Sequence, residues 1–468
     1  MIGFIAEGSY PYVSGGVSSW IHTLIKSMPD LNFSLFTITP EERGIDQAKF
    51  DLPQNIKHIQ NVALTARTDQ AKSLKTKLTE QEISLLSEWF TFQTTNPEAL
   101  RLLGDKNKMG SLADFFASEA FYTLVKHCYV LEKQSGSFLD YVWMWRALYT
   151  PVIFLLQQEY EKVKLVHAVS TGYGGLAAAY IAYSQKVPFL LTEHGIYSRE
   201  REEEILQAAW IPVTYKKRWI QFFHHLSKQA YEMADEILTL FERNRQYQLQ
   251  GGAPEEKTKI IPNGISLSSF QEQTERGQKE IFHIGAIVRV VPIKDIKTMI
   301  YSARLLKSQG LSFKWSILGP DEEMPEYAAE CRSLVEEFHL ADQIEFTGKV
   351  NIDDYLPKFD ICVLSSISEG QPLAVLEGMA FGKPWIVTDV GSCRELIEGG
   401  EGDSFGACGF TVPPVSPKQL ADRLQWSMEN RDLLPKLGNS GRKRVLKYYL
   451  AEDMIAAYRN LYIKRGGA

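Results

Sequence analysis

The sequence predicts an α/β protein of two Rossmann-like, doubly wound domains, the first carrying a helical insertion. Three observations lead there. The chain has 468 residues, too many for one ordinary core. In each half, short apolar runs alternate with helix-period stretches, the rhythm of a parallel sheet with right-handed crossovers. Between the halves, Ser266–Glu280 is polar and linker-like.

In chain order, Ile2–Gly8 is an apolar strand running into a polar, glycine-bearing turn, Ser9–Gly16. A helix follows from about Val17 to Met28, with Trp20, Leu24 and Met28 on one face. Asn32–Thr39 and His58–Leu64 are the next strands. From about 66 to 163 the rhythm breaks into a helical, aromatic segment with Trp89, Trp143 and Trp145. It reads as an insertion of the kind that serves as a lid or a docking surface. Strands resume at Lys164–Ser170, Pro188–Gly195 and Glu236–Leu240, and Thr258–Ile265 closes a first domain of residues 1–265. The linker is 266–280 and the second domain 281–447. Its strands are Ile281–Arg289, Phe313–Gly319, Gln343–Gly348, Ile361–Ser366, Trp385–Asp389 and Gly409–Pro413. Residues 448–468, with a helix over Ala451–Ile463, are expected to pack back on the first domain.

Bulk properties narrow the function classes. Hydrophobic content of 44% and charged content of 23% are those of a globular protein in water. A net charge of −6 with no strongly basic half argues against nucleic-acid binding. Cys128, Cys331, Cys362, Cys393 and Cys408 are odd in number and lack CxxC spacing, so reduced thiols in the cytoplasm are expected. No apolar stretch reaches membrane-span length, so a cytoplasmic protein is expected, at most docked at a membrane through partners. HExxH and GxxxxGK[ST] are missing and no GxSxG nucleophile elbow is expected, which disfavours a zinc hydrolase, a P-loop ATPase and a serine hydrolase. No metal site is expected.

The richest stretch is Glu369–Ala380, EGQPLAVLEGMA. A buried strand, a glycine-bearing turn and a helix start at the carboxyl edge of an α/β sheet make an anion site. Glu369 precedes the turn, and Glu377 is expected about two turns into the helix, in reach of a sugar hydroxyl. Carboxylates on both sides of a phosphate site suit a nucleotide-sugar. Arg289 and Lys294, in RVVPIK beyond another strand, are cations suited to a pyrophosphate. Alone they read as a solvated pair; beside Glu369–Glu377 they read as ligand groups. In the first domain, His194 ends the strand Pro188–Gly195, a position that faces a ligand crevice. Arg199 and Arg201 follow it, and Glu202–Glu204 read as a solvated helix start. Gly15 and Gly16 let backbone amides approach a phosphate closely, or form a simple turn. Asn263 in Pro262–Gly264 is most simply a turn residue.

With these residues in hand, the chain resembles the retaining GT-B glycosyltransferases of family GT4, strongest over 282–413. EGQPLAVLEGMAFGKPWIVTD is similar to the family's E-x7-E region, and RVVPIK to its Arg…Lys pair. EGSYPYVSGGVSSWIHTLI, LTEHGIYSRERE and VRVVPIKDIKTMI further resemble the PelF-type enzymes of Pel exopolysaccharide synthesis. The resemblance implies two domains facing a cleft and a UDP-sugar donor, with no cofactor or metal. It also implies a polysaccharide acceptor and work beside an inner-membrane synthesis complex. By the same resemblance, Arg289 and Lys294 hold the donor diphosphate and Glu377 the ribose. Glu369 contacts the sugar, and the backbone of Gly370, Gln371, Pro372 and Leu373 holds sugar and phosphate through its amides. His194 lies at the sugar, and Gly15 and Gly16 close over the phosphates. The residue after Lys294 is Asp295, where the family often has glycine.

Two other readings share parts of this pattern. A GT-B UDP-sugar epimerase shares the fold without the E-x7-E loop. A catalytically silent nucleotide-sugar-binding scaffold need not keep Arg289, Lys294, Glu369, Glu377 and His194 together.

Overall fold

Each half of the chain builds one fully parallel sheet, as the alternating pattern predicts. The structure, a computed structural model, describes residues 1–65, 75–133, 136–267 and 281–466. The start of the expected insertion, 66–74, and most of the expected linker, 268–280, lie outside the described residues.

Seven strands form the first sheet: β1 (Ile2–Glu7), β2 (Phe33–Thr39), β3 (Ile56–Ala63), β4 (Leu165–Ala168), β5 (Phe189–Glu193), β6 (Glu236–Thr239) and β7 (Thr258–Ile260). Their order is β3-β2-β1-β4-β5-β6-β7. Six form the second: β8 (Phe282–Ile287), β9 (Phe313–Leu318), β10 (Ile344–Gly348), β11 (Ile361–Leu364), β12 (Trp385–Thr388) and β13 (Gly409–Val412). Their order is β10-β9-β8-β11-β12-β13. Helices covering both faces explain why β2, β4, β5, β11 and β12 are buried at every position, and why β11, ICVL, reads as an unbroken apolar run rather than an alternating one.

The chain divides into two compact units. Unit 1 comprises Met1–Thr239, Asn244–Ile260 and Ala457–Ala468, and unit 2 comprises Leu240–Arg243 and Ile261–Ala456. The last helix, Ala451–Lys464, therefore begins in unit 2 and ends in unit 1.

The described part of the aromatic segment holds helices Glu80–Phe90, Pro97–Gly104, Lys106–Met109, Leu112–Phe116, Glu119–Leu131 and Phe138–Leu156. Their starts are written locally. Thr79 and Glu82 exchange side-chain and backbone bonds in a capping box, and Asn96 caps a helix whose first residue is Pro97. Phe90 sits at their centre, 4.5 Å from Tyr149 and 4.7 Å from Trp145 between ring centroids. Burying such rings contributes about 1.5–3 kcal/mol each. Arg218 reaches into this core, paired with Glu132 and donating to the Tyr149 hydroxyl at 3.0 Å. Among the described residues no helix is long and apolar enough to cross a membrane.

In each sheet the strand order reverses direction at one place, between β1 and β4 in unit 1 and between β8 and β11 in unit 2. Crossovers leave in opposite directions there, so a crevice opens at the carboxyl ends of the two strands.

Candidate functional site

The β8–β11 crevice of unit 2 brings together Lys294, Glu369 and the loop and helix that follow Glu369. Past β8 the chain stays extended, with Val288 and Val290 donating to Leu318 O at 2.8 Å and Pro320 O at 2.9 Å. It then turns through Pro292–Lys294 into the helix Ile296–Ser308. Asp295 takes φ 47°, the left-handed region in which glycine is at ease, so glycine is replaced there at a conformational cost. The Asp295 carboxylate offsets that cost by capping the helix, accepting from Thr298 N at 3.3 Å and Thr298 Oγ1 at 2.6 Å. From β11, Ser365 Oγ donates to Lys294 O and Asp295 O, and Ile367 N to Ile293 O at 2.8 Å. The two turns are stitched together.

That stitching aims Lys294 at Glu369. Lys294 Nζ is ion-paired with Glu369 Oε1, and Ser366 Oγ donates to the same oxygen at 2.5 Å. The two charged side chains keep only 17% and 10% of their exposure, so the pair is little screened by water. Arg289 is not brought to this turn. It forks onto Glu323 with bonds of 2.7 and 2.6 Å, and both side chains are 52% exposed.

The loop after Glu369 is pinned from two sides. Gly391, at φ 53°, lies so close that a Cβ there would stand 2.1 Å from Glu369 O. Its neighbour Ser392 donates to Gly370 O through N at 3.0 Å and Oγ at 3.1 Å. Gln371 Oε1 accepts from Asn263 N at 2.6 Å, while Gln371 Nε2 and Asn263 Oδ1 are buried without a partner among the described residues. Pro372 leads into the helix Leu373–Ala380, which has no side-chain cap, leaving its first amides to the crevice. Glu377 is its fifth residue, one turn in rather than the expected two. Burial, and then the charge of Asp353, raise its carboxyl above the usual range.

In unit 1, Gly15 caps the helix Gly16–Lys26 in extended backbone, and no side chain closes the helix start. A Cβ on Gly15 or on Gly16 would meet no atom within 4 Å. One turn on, Trp20 stands edge-on to His194, 4.7 Å between centroids. His194 lies one residue beyond β5, and its Nε2 is buried without a partner among the described residues. Burial pulls its imidazole down to about 4, so it is neutral near pH 7. Glu202–Glu204 fall in the middle of the helix Tyr197–Gln207 instead of at its start, where Glu200 is the first-turn acid. Arg199 and Arg201 lie over the rings of Tyr247 and Tyr197.

The β1–β4 crevice of unit 1 has the opposite chemistry. Glu7, at the end of β1, accepts from Gly174 N at 2.8 Å in the first turn of the helix Tyr173–Gln185. It also accepts from Ser170 Oγ at 3.0 Å and from the Tyr197 hydroxyl at 2.6 Å. Behind it Glu193 is buried, bonded to Tyr231 at 2.6 Å, Gln248 at 3.1 Å and Thr171 at 3.1 Å. Burial pushes the Glu193 carboxyl up against the opposing effect of those bonds.

Comparison with known proteins places the chain. Residues 1–256, more than half of it, match the family described as domain of unknown function DUF3492. The chain belongs to that family. Residues 266–444 match the family glycosyl transferases group 1. WcaL of Salmonella typhimurium, named for a glycosyltransferase role in colanic acid biosynthesis, is 28% identical over 208 residues, 42% of this chain and 48% of that protein. The match thus spans about half the length of that relative. An N,N'-diacetylbacillosaminyl-diphospho-undecaprenol alpha-1,3-N-acetylgalactosaminyltransferase of Campylobacter jejuni is 27% identical, over 55% of this chain and 68% of that one. Among solved structures, Anabaena HepE in complex with UDP and glucose superposes with a TM-score of 0.59 at 14% identity, covering 98% of each chain. At that identity the likeness carries the fold, and the fold is GT-B.

Against this DUF3492 chain, sequence reasoning passed over Glu7, Glu323, Asn263 as a partner of Gln371, and Trp20 as a neighbour of His194. Trp20 was read only as a core-facing position of its helix. Glu7 had a visible signal: an acidic residue closing an otherwise apolar first strand. Among the described residues no three His, Cys, Asp or Glu side chains gather to hold a metal ion.

Proposed function

We propose that the protein is a retaining glycosyltransferase that moves a sugar from a UDP-sugar to a growing polysaccharide, in the manner of the PelF-type enzymes. The observation that carries this reading is the meeting of Lys294, Glu369 and an uncapped helix start at the β8–β11 crevice. A cation and free amides serve a diphosphate, and flanking carboxylates serve hydroxyls. The glycosyl transferases group 1 match over this unit supports it, as do the polysaccharide-related names of the relatives. HepE, a fold neighbour, was solved with UDP and glucose, which favours uridine as the nucleoside of the donor.

The chemistry then follows from charge. Breaking the bond between the anomeric carbon and the β-phosphate oxygen leaves negative charge on UDP. Lys294 stabilises that charge, aided by the first amides of the helix, those of Leu373 and Ala374. Lys294 must exchange Glu369 for phosphate, which frees the Glu369 carboxylate to accept from the sugar hydroxyls. Arg289 must leave Glu323; an exposed pair of this kind is worth about 0.2–1 kcal/mol, so a diphosphate displaces it readily. Glu377 accepts from the ribose. His194, neutral, offers the sugar a hydrogen bond without adding charge. Departing phosphate oxygen takes the acceptor proton on the same face, which retains configuration and needs no protein nucleophile. The two glutamates therefore bind hydroxyls and do not form a hydrolase pair.

The test is turnover. With a polysaccharide acceptor present, one or more UDP-sugars should release UDP and yield an α-linked product. Tight binding of UDP-sugars without any release would favour the silent scaffold, and a changed sugar on unreacted donor would favour the epimerase.

A further inference from the structure

We propose that Tyr458, on the carboxy-terminal helix, is a positioning residue for His194, acting through the ring of Trp20. The starting point is that no side-chain hydrogen bond fixes the His194 imidazole among the described residues. Its Nε2 is buried and unpartnered, and Asn244 Nδ2 donates only to its backbone oxygen, at 3.1 Å. Packing must therefore set the ring's direction. The Trp20 ring lies against it edge-on, at 4.7 Å and 75°.

Trp20 in turn is held by Tyr458, again edge-on, at 5.1 Å and 75°. Tyr458 is fully buried and fixed on two further sides. Its ring stacks on His167 at 5.8 Å and 22°, and its hydroxyl shares a bond of 3.2 Å with Thr192 Oγ1. His167 is itself immobilised at both nitrogens, by Thr192 Oγ1 and by the Tyr462 hydroxyl, each at 2.8 Å. An ordered polar network thus anchors Tyr458, Tyr458 anchors Trp20, and Trp20 leaves His194 one orientation. All of these groups belong to unit 1, which the carboxy-terminal helix enters at Ala457. Trp20 is also one turn from Gly16, so the same ring ties the glycine-led helix start to His194.

The kinetic part of this inference rests on the assignment of His194 to the transferred sugar; the geometric part does not. The test uses full-length protein labelled at histidine, with the His194 ring resonances assigned by their loss in His194→Gln. Tyr458→Phe keeps the ring and should leave those resonances and kcat close to wild type. Tyr458→Leu, which keeps bulk, and Tyr458→Ala should shift the His194 resonances. Both should lower kcat about tenfold with the donor KM within about twofold, a change of about 1.4 kcal/mol in the barrier. Should Tyr458→Ala fail to fold, Tyr458→Leu carries the measurement. Unmoved His194 resonances in a folded Tyr458→Leu protein would overturn the inference, as would a moved ring with kcat unchanged in an active enzyme. If wild type shows no transfer at all, the functional reading fails, and the resonances still decide whether Tyr458 positions the ring.

Discussion

Two crevices of the same topological origin carry opposite charge. Between β8 and β11, the chain places Lys294 beside an uncapped helix start, and the carboxylate nearby, Glu369, is held by that lysine. Between β1 and β4, Glu7 itself occupies the helix start, bonded to Gly174 N, and the Tyr197 hydroxyl closes over it. A helix start attracts an anion in either place. In unit 1 the protein supplies that anion; in unit 2 no side chain among the described residues caps the helix Leu373–Ala380. Both helix starts are candidate anion positions, and Glu7 at the end of β1 fills the one in unit 1.

The largest expected effect breaks the unit 2 side. Lys294→Ala removes the cation and leaves Glu369 unpaired against the leaving group, so kcat should fall by about 10²–10³, the loss seen when one stabilising donor is removed. A variant retaining wild-type turnover would move the phosphate elsewhere. Next is Glu377→Gln. If the carboxylate binds ribose hydroxyls, UDP affinity falls about tenfold, in line with 1.5–3 kcal/mol for a charged hydrogen bond. Discrimination between UDP and its 2′-deoxy form should shrink with it. Equal discrimination before and after would remove Glu377 from the ribose.

Gly16→Ala sharpens the unit 1 side. Since a Cβ there meets nothing, stability should change by less than about 0.5 kcal/mol. A donor KM raised about fivefold, roughly 1 kcal/mol, would then report an approach of ligand that the side chain obstructs. An unchanged KM makes the glycine pair a plain turn.

A smaller effect, on stability alone, comes from buried His167. Burial, then the charge of His194, pull it down to about 3, well below its unfolded value near 6.5. Between those values the unfolded chain binds the proton and the folded one does not, so stability falls as pH falls through that window. Urea midpoints at pH 7, 5.5 and 4.5 should decline in the wild type. His167→Asn should be weaker at pH 7 but less steep.

How much of this was written in the sequence depends on how local the cause is. The strand runs were legible because parallel strands covered on both faces are nearly all apolar, as in Ile361–Leu364 and, up to its closing Thr388, Trp385–Thr388. The Lys294 and Glu369 turns were legible because each lies just beyond such a strand. Helix phase was less secure. Glu377 came out one turn into its helix because Leu373, after Pro372, begins it, and Glu202–Glu204 fell mid-helix because Tyr197 starts theirs. What stayed hidden needed contacts across long separations. Glu7 meets a residue 167 positions away, and Gln371 one 108 positions away. Arg289 could be read as a cation at a strand end. Its turn toward Glu323 depends on where the loop after β9 lies, which no spacing encodes.

Calorimetric titration with UDP is the most direct test of the claim that the β8–β11 crevice is the diphosphate site and the β1–β4 crevice is closed by Glu7. The account predicts that wild type and Glu7→Gln bind alike, within about twofold, and that Lys294→Ala binds at least tenfold more weakly, about 1.4 kcal/mol or more. Binding unimpaired in Lys294→Ala, or lost in a folded Glu7→Gln protein, would contradict it.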